Sequence, residues 1–261
     1  MNFSIHQASN IGNRKLNQDR VAYAYSRDAL LMVLADGMGG HSHGEVAAEL
    51  AMRTFVEAFC AHPEIDNPLG FLSATMRAAH QHIMALPRNT EHAFPGTTCV
   101  AALVMNGMLY WGHAGDSRFY LLRNGAVQSR TLDHSMVQMW LECGVIDEQE
   151  ARVHPRRNQI TNCLGGIEDL FEIELGIPVL LQQDDVVLLC SDGLSGPFFD
   201  AELVDAFAGT AVEVALDSLV ERALALESGR SDNVTGIAMR WGDAEPMHET
   251  GSMISHILEI H

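Results

Sequence analysis

The stretch TTCVAALVMNGMLYWGHAGDSRFYLLRNGAV, Thr97 to Val127, restricts the fold more tightly than any other part of this chain. Its β-prone runs meet at Asn106-Gly107 and again at Asn124-Gly125. Asn-Gly tolerates the positive φ angles of two-residue hairpin turns, and such turns join strands antiparallel. Sequential antiparallel pairing is therefore favoured over a doubly wound parallel sheet. Further β-like runs lie at Ile5 to Ala8, Val21 to Ala35, Phe171 to Cys190 and Val234 to Arg240. Between them the apolar residues take helical spacing. Ala47, Ala51, Phe55 and Phe59 predict a helix over Gly44 to Phe59,. A second is predicted over Pro68 to Leu86, opened by its proline and stopped by Pro87, and a third over Ala211 to Leu226,. Helices laid outside paired sheets give an antiparallel β sandwich layered with helices. The polar segment Ser135 to Gln159 reads as a small helical flap on the surface,. One domain is expected over 1-241, with the flap at about 135-159, and then a tail, 242-261, holding a short helix at best,.

Composition narrows the partners. At 261 residues and 47% apolar, the chain has ample material for a core,. Its apolar runs are far shorter than the roughly 20 residues a membrane span needs. The N-terminus lacks a basic segment followed by an apolar run, so a cytoplasmic location and no membrane are expected,. A net charge of −18 makes nucleic acid an unsuitable partner, because binding to its backbone depends on clustered Lys and Arg,. The five cysteines are widely spaced without a CxxC pair, and are expected to be reduced, buried small hydrophobes,.

Two apolar runs end alike. LLMVLADGMGG, Leu30 to Gly40, and VVLLCSDGLSG, Val186 to Gly196, each pass from a buried-strand pattern to a small residue, an aspartate and a glycine. A buried carboxylate is costly unless it is paired, hydrogen-bonded or bound to a metal. The chain has a single lysine, Lys15. Asp116 in AGDSR and Asp232 in SDN also sit where an inferred strand begins or ends, so Asp36, Asp116, Asp192 and Asp232 can converge at one rim of a sandwich,. Gathered there they would repel one another, and divalent cations remove that problem. An all-oxygen donor set suits Mg²⁺ or Mn²⁺, while HExxH and the calcium-loop pattern are absent,. Glycine after Asp36 would let the backbone approach an ion, making the Gly37 carbonyl a candidate ligand. Any one Asp-Gly is more commonly a turn.

RKLNQD (Arg14 to Asp19), ADGMGG (Ala35 to Gly40), GTT (Gly96 to Thr98), AGDSR (Ala114 to Arg118), DHS (Asp133 to Ser135), LGG (Leu164 to Gly166), SDGL (Ser191 to Leu194) and SDN (Ser231 to Asn233) follow in this order. Together they resemble the bacterial branch of the metal-dependent, type 2C serine/threonine protein phosphatases, over Asn10 to Arg240. The resemblance implies an α+β fold, a four-layer α-β-β-α sandwich of two antiparallel sheets flanked by helices. It implies two Mn²⁺ or Mg²⁺ ions: Asp36 bridging them, the Gly37 carbonyl on one, Asp192 and Asp232 on the other, and Asp19 acting through water. Asp116 with Asp192 would take a third, more weakly bound ion. The implied reaction is attack on phosphoserine or phosphothreonine by a water or hydroxide bridging the two metals. Phosphorylated proteins would be the partners, among them a Ser/Thr kinase or its targets, and the enzyme would work as a monomer.

Arg14 is assigned to the substrate phosphate, since a guanidinium can donate two parallel hydrogen bonds to phosphate oxygens. Where animal members carry a histidine, two residues after the bridging aspartate, this chain has Met38. His41 and His43 lie nearby, His41 at the position where bacterial members commonly have histidine. His41 is a candidate proton donor to the leaving oxygen, or equally a contact to the helix beginning near Gly44. His134 and Arg118 are expected to support the rim through hydrogen bonds. His248, His256 and His261 in the tail read as casual surface residues. Two rivals remain: a non-catalytic binding module, disfavoured because all four family ligands are present, and a hydrolase of small phosphoesters. A nucleotide-using enzyme is disfavoured by the absence of GxxxxGK[ST],.

Overall fold

The computed structural model describes residues 1–38, 43–62, 64–86, 94–166, 171–242 and 254–258. Its strands are β1 (Phe3–Asn10), β2 (Asp19–Tyr25), β3 (Ala29–Met38), β4 (Gly96–Thr97), β5 (Cys99–Met105), β6 (Met108–Ala114), β7 (Arg118–Arg123), β8 (Ala126–Arg130), β9 (Leu164–Gly165), β10 (Glu174–Leu175), β11 (Val179–Leu180), β12 (Val186–Cys190), β13 (Val234–Trp241) and β14 (Ile254–Ile257). Its helices are α1 (Gly44–Ala61), α2 (Pro68–Met84), α3 (Met136–Glu142), α4 (Glu148–Val153), α5 (Asp192–Ser195), α6 (Asp200–Phe207) and α7 (Val212–Leu226). One sheet runs β1-β13-β12-β7-β8; the other runs β10-β6-β5-β3-β2-β14, with β11 beside β6 and the short β4 and β9 alongside β3. Every pairing is antiparallel.

The two Asn-Gly turns do what their chemistry predicts. Asn106 and Gly107 both have positive φ, as do Asn124 and Gly125, closing the β5-β6 and β7-β8 hairpins,. The continuous apolar runs belong to strands buried on both faces. In β3, Leu31, Val33 and Ala35 pack under α1 and α2, while Leu30, Met32 and Leu34 face the other sheet. In β12, Val186, Leu188 and Cys190 meet α5 to α7, while Val187 and Leu189 enter the core between the sheets. Alternation is invisible in such strands because neither face meets water. The result is the four-layer α-β-β-α sandwich, and the segment Ser135 to Gln159 carries the two short helices α3 and α4.

Several expectations need correcting. Phe171 to Cys190 is not one β-rich run: β10, β11 and β12 are separate pieces of it. The helix α6 carries no strong start signal in sequence and spans only two turns, held at its start by the Glu202 carboxylate accepting from the Phe199 N–H at 2.9 Å. Within the tail, residues 254–257 form not a helix but a strand, β14, paired with β2 from Ile254 opposite Tyr25 to Ile257 opposite Ala22. His256 there is exposed, as expected of a surface residue, and also stacks on Tyr23 with ring centroids 4.7 Å apart; His248 and His261 lie outside the described residues. Cys60 and Cys143 are exposed rather than buried; Cys99 and Cys190 are core residues. Among the described residues, no helix is long and apolar enough to cross a membrane.

Candidate metal centre

The ends of β2, β3 and β12 and the turns before β7 and β13 carry the acidic residues. Register places Asp19 directly opposite Asp36 across the β2-β3 pair. Asp192 opens α5 immediately after β12, while Asp232 lies two residues before β13, the neighbour of β12. Asp116 occupies the turn between β6 and β7. Asp116, Asp192 and Asp232 line one cleft of about 1110 Å³ together with Arg14.

Backbone positions at this rim are braced by neighbours within the same motifs. The Asp36 N–H donates to Thr98 Oγ1 at 3.0 Å, its carbonyl accepts from the Thr98 N–H at 2.8 Å and the Thr97 hydroxyl at 2.9 Å, and Thr98 Oγ1 bonds Ser117 Oγ at 2.7 Å. The Ser191 hydroxyl donates to Asp19 Oδ2 at 3.0 Å. Asn233 ties the loop before β2 to the start of β13: its Oδ1 accepts from the Gln18 N–H at 2.8 Å, and its Nδ2 donates to the carbonyls of Ile11 and Leu16. Thr97 and Thr98 belong to GTT, Ser117 to AGDSR, Ser191 to SDGL and Asn233 to SDN, but their bracing roles depend on partners far away in sequence. Gly37 has a packing reason of its own: a Cβ there would sit 2.2 Å from the Gly44 carbonyl oxygen at the start of α1. Likewise a Cβ on Gly193 would lie 2.1 Å from the Asn233 carbonyl oxygen.

Crowded acids raise one another's proton affinity. Burial first, then the charges of Asp19, Asp192, Asp116 and Asp232, hold Asp36 well above the ordinary carboxylate range. Asp116 is likewise pushed well up, by burial and then by Asp192. Burial lifts Asp19 to about 7, against the opposing hydrogen bonds from Thr235 and Ser191. Asp192 rises to about 6, through burial and then the charge of Asp232. Arg14 bonds directly into this set, its Nη2 donating to Asp232 Oδ2 at 2.6 Å with its side chain 56% exposed, and the charge of Arg118 acts on Asp116 and Asp192. Two carboxylate oxygens, Asp19 Oδ1 and Asp192 Oδ1, are buried without a hydrogen-bond partner among the described residues. Oxygens in that condition, on acids that repel one another, suit hard divalent cations.

The rim residues behave as expected. Arg118 grips Asp133 through two bonds of 2.7 Å. His134 Nδ1 accepts from the Gly115 N–H at 3.2 Å and from Asn162 Nδ2 at 2.7 Å, so its proton is on Nε2, facing Glu174 Oε2 at 3.3 Å. With His113 beside it, ring centroids 4.4 Å apart, this is a cluster of possible ligands. Both His134 nitrogens are already committed, so the cluster braces the turn that carries Asp116. His41 lies outside the described residues. His43 precedes α1 in a left-handed conformation, its Nδ1 3.5 Å from Glu45.

Comparison with known proteins adds relatives to this geometry. The family model described as Protein phosphatase 2C matches residues 6–226. The serine/threonine protein phosphatase PstP of Mycobacterium tuberculosis (strain ATCC 25618 / H37Rv) is 39% identical over 231 residues, 85% of this chain and 41% of that protein. This chain therefore spans about two fifths of that relative's length. The serine/threonine phosphatase stp of Listeria innocua is 33% identical over 198 residues, 73% of this chain and 77% of that protein. Among solved structures, the crystal structure of M. tuberculosis PstP/Ppp has a TM-score of 0.80 at 36% identity, covering 92% of this chain and 99% of its own. The catalytic domain of PstP in complex with two manganese ions has a TM-score of 0.78 at 34% identity, covering 92% and 98%.

Proposed function

This chain belongs to the protein phosphatase 2C family, and from that membership we propose that it is a metal-dependent serine/threonine protein phosphatase acting on phosphoserine and phosphothreonine in proteins. The single observation that carries this reading is the buried and half-buried, mutually repelling set of carboxylates with two buried oxygens that have no donor among the described residues. In this reading Asp36, the Gly37 carbonyl, Asp19, Asp192 and Asp232 hold two Mn²⁺ or Mg²⁺ ions, and Asp116 with Asp192 takes a third, looser one. When bound, such ions lower the pKa of water between them and offset the charge of phosphoryl oxygens. The rest falls to the chain. The Thr97, Thr98 and Ser191 bonds keep Asp36 and Asp19 in register, and His134 holds the Asp116 turn. Arg14, anchored on Asp232 yet half exposed, presents its remaining N–H groups to the substrate phosphate,. His41 is the proposed proton donor to the departing oxygen. Residues 1–241 form one catalytic unit working as a cytoplasmic monomer, opposing a Ser/Thr kinase on phosphorylated proteins that include the kinase or its targets.

The test is phosphate release by the purified chain from phosphoserine and phosphothreonine peptides and from an aryl phosphate, with Mn²⁺, without it, and after chelation. Peptide turnover that needs Mn²⁺ and stops on chelation is expected. Turnover of the aryl phosphate alone would instead indicate a small-phosphoester hydrolase, and metal-independent turnover would overturn the centre itself.

A further inference from the structure

The cleft that Asp116, Asp192 and Asp232 share is lined by six arginines against seven carboxylates, the other four being Asp133, Glu148, Asp200 and Glu227, in a chain with only 16 Lys and Arg and a net charge of −18. Three of the six are neutralised: Arg14 by Asp232, Arg118 by Asp133 and Arg130 by Asp200. Arg152, Arg157 and Arg230 have no carboxylate within ion-pair distance among the described residues. Arg152, on helix α4, is half-buried and held by weak partners: its Nη2 donates to the Phe198 carbonyl and its guanidinium lies over the Phe199 ring, 3.6 Å from the centroid. Burial, and next the charge of Arg118, lowers its pKa despite the opposing charges of Glu202 and Asp200, so a closer anion would relieve this cation,. Arg157 follows α4 and Arg230 follows α7; both are exposed. Surface arginines that serve solubility are scattered, whereas these three line one cleft with the acidic centre.

We propose that Arg152, Arg157 and Arg230 form a second anion subsite, which selects phosphoprotein segments carrying a further negative group, a carboxylate or another phosphate, near the residue being dephosphorylated. This rests on the phosphatase reading above and specifies its substrate class. Guanidinium forks bind carboxylate and phosphate through the same paired geometry. The need is electrostatic: a strongly acidic protein repels acidic segments at long range, and only cations placed inside the cleft reverse that locally.

One phosphothreonine peptide, in forms with neutral flanks, with flanking glutamates and with a nearby non-hydrolysable phosphonate, tests the subsite on the Mn²⁺-loaded chain. For the anionic forms kcat/KM is expected to be about tenfold higher, through KM, as one charge-assisted contact supplies. That advantage should shrink at about 0.5 M salt. A larger effect of phosphonate than of glutamate would identify phosphate as the preferred anion. Arg157→Glu combined with Arg230→Glu, both at exposed positions, should abolish the advantage and favour a lysine-flanked peptide, with an unchanged circular dichroism spectrum. Equal kcat/KM for all three peptides, or a preference that survives the charge reversal, overturns the subsite and leaves the phosphatase reading standing. Hydrolysis of an aryl phosphate but of none of the peptides overturns both.

Discussion

Asp19, buried, and Asp36, half-buried, face each other across paired strands with no ion pair to either among the described residues, and such a pair of carboxylates survives there only if something is gained by keeping it. Function and stability should therefore separate at these positions. Asp36→Asn or Asp192→Asn is expected to cut Mn²⁺-dependent turnover by more than about 100-fold, the scale of disturbing a metal's surroundings. The metal-free variant should melt no lower than the metal-free parent, because an amide removes a repelling charge; activity assay and thermal melt together check this. Arg14→Ala should raise KM for a phosphopeptide with less effect on kcat, and Arg14→Lys should not restore it, lysine lacking the paired geometry; steady-state kinetics on the two variants decides. Asp36, Asp116, Asp192 and Asp232 were legible in the sequence because each sits beside glycine or serine where an apolar run ends or begins, whereas Asp19, between Gln18 and Arg20, was carried only by the family resemblance. The partners of those acids were not. Thr98 meets Asp36 from 62 residues away and Ser191 meets Asp19 from 172 residues away, and nothing local distinguishes a bracing hydroxyl from a turn hydroxyl.

At the scale of elements, the two hairpins were legible from Asn-Gly because a turn's φ requirement is local chemistry. Strands β3 and β12 were legible as buried runs, though only their two-sided packing explains the lack of alternation. The strand β14 left no such trace: ISHI is short, mixed in character and owes its conformation to pairing with β2 at the sheet edge. The meeting of β3 with α1 is equally hidden, yet it makes a sharp prediction. Because a Cβ on Gly37 would collide with the Gly44 carbonyl, Gly37→Ala must push the start of α1 away from the rim. A loss of about 1–3 kcal/mol or more is expected, as for overpacked cores, and urea unfolding of the metal-free variant measures it without involving activity.

Across the whole molecule, the raised carboxylates tie folding to both protons and metal. In the folded chain Asp19 titrates at about 7 and Asp192 at about 6, against 3.8 unfolded. The folded state therefore binds protons that the unfolded state has released, so this contribution is complete below pH 3.8 and is lost as pH climbs through the folded values. His113 works in the opposite direction: burial, then His134, lowers its pKa from 6.5, so its cost appears as pH falls below 6.5. Between about pH 6.5 and 8 the carboxylates dominate, and the metal-free protein should melt at progressively lower temperature as pH rises. Divalent cations reverse the trend, because they compete with the same protons and bind only the folded arrangement. The rise in Tm on adding Mn²⁺ should be larger at pH 8 than at pH 6.5, each kcal/mol of binding free energy showing as about 2–4 °C for a protein of this size. Scanning calorimetry at the two pH values, with chelator and with Mn²⁺, checks the slope and its reversal; a Tm gain independent of pH would place the metal somewhere other than on these carboxylates.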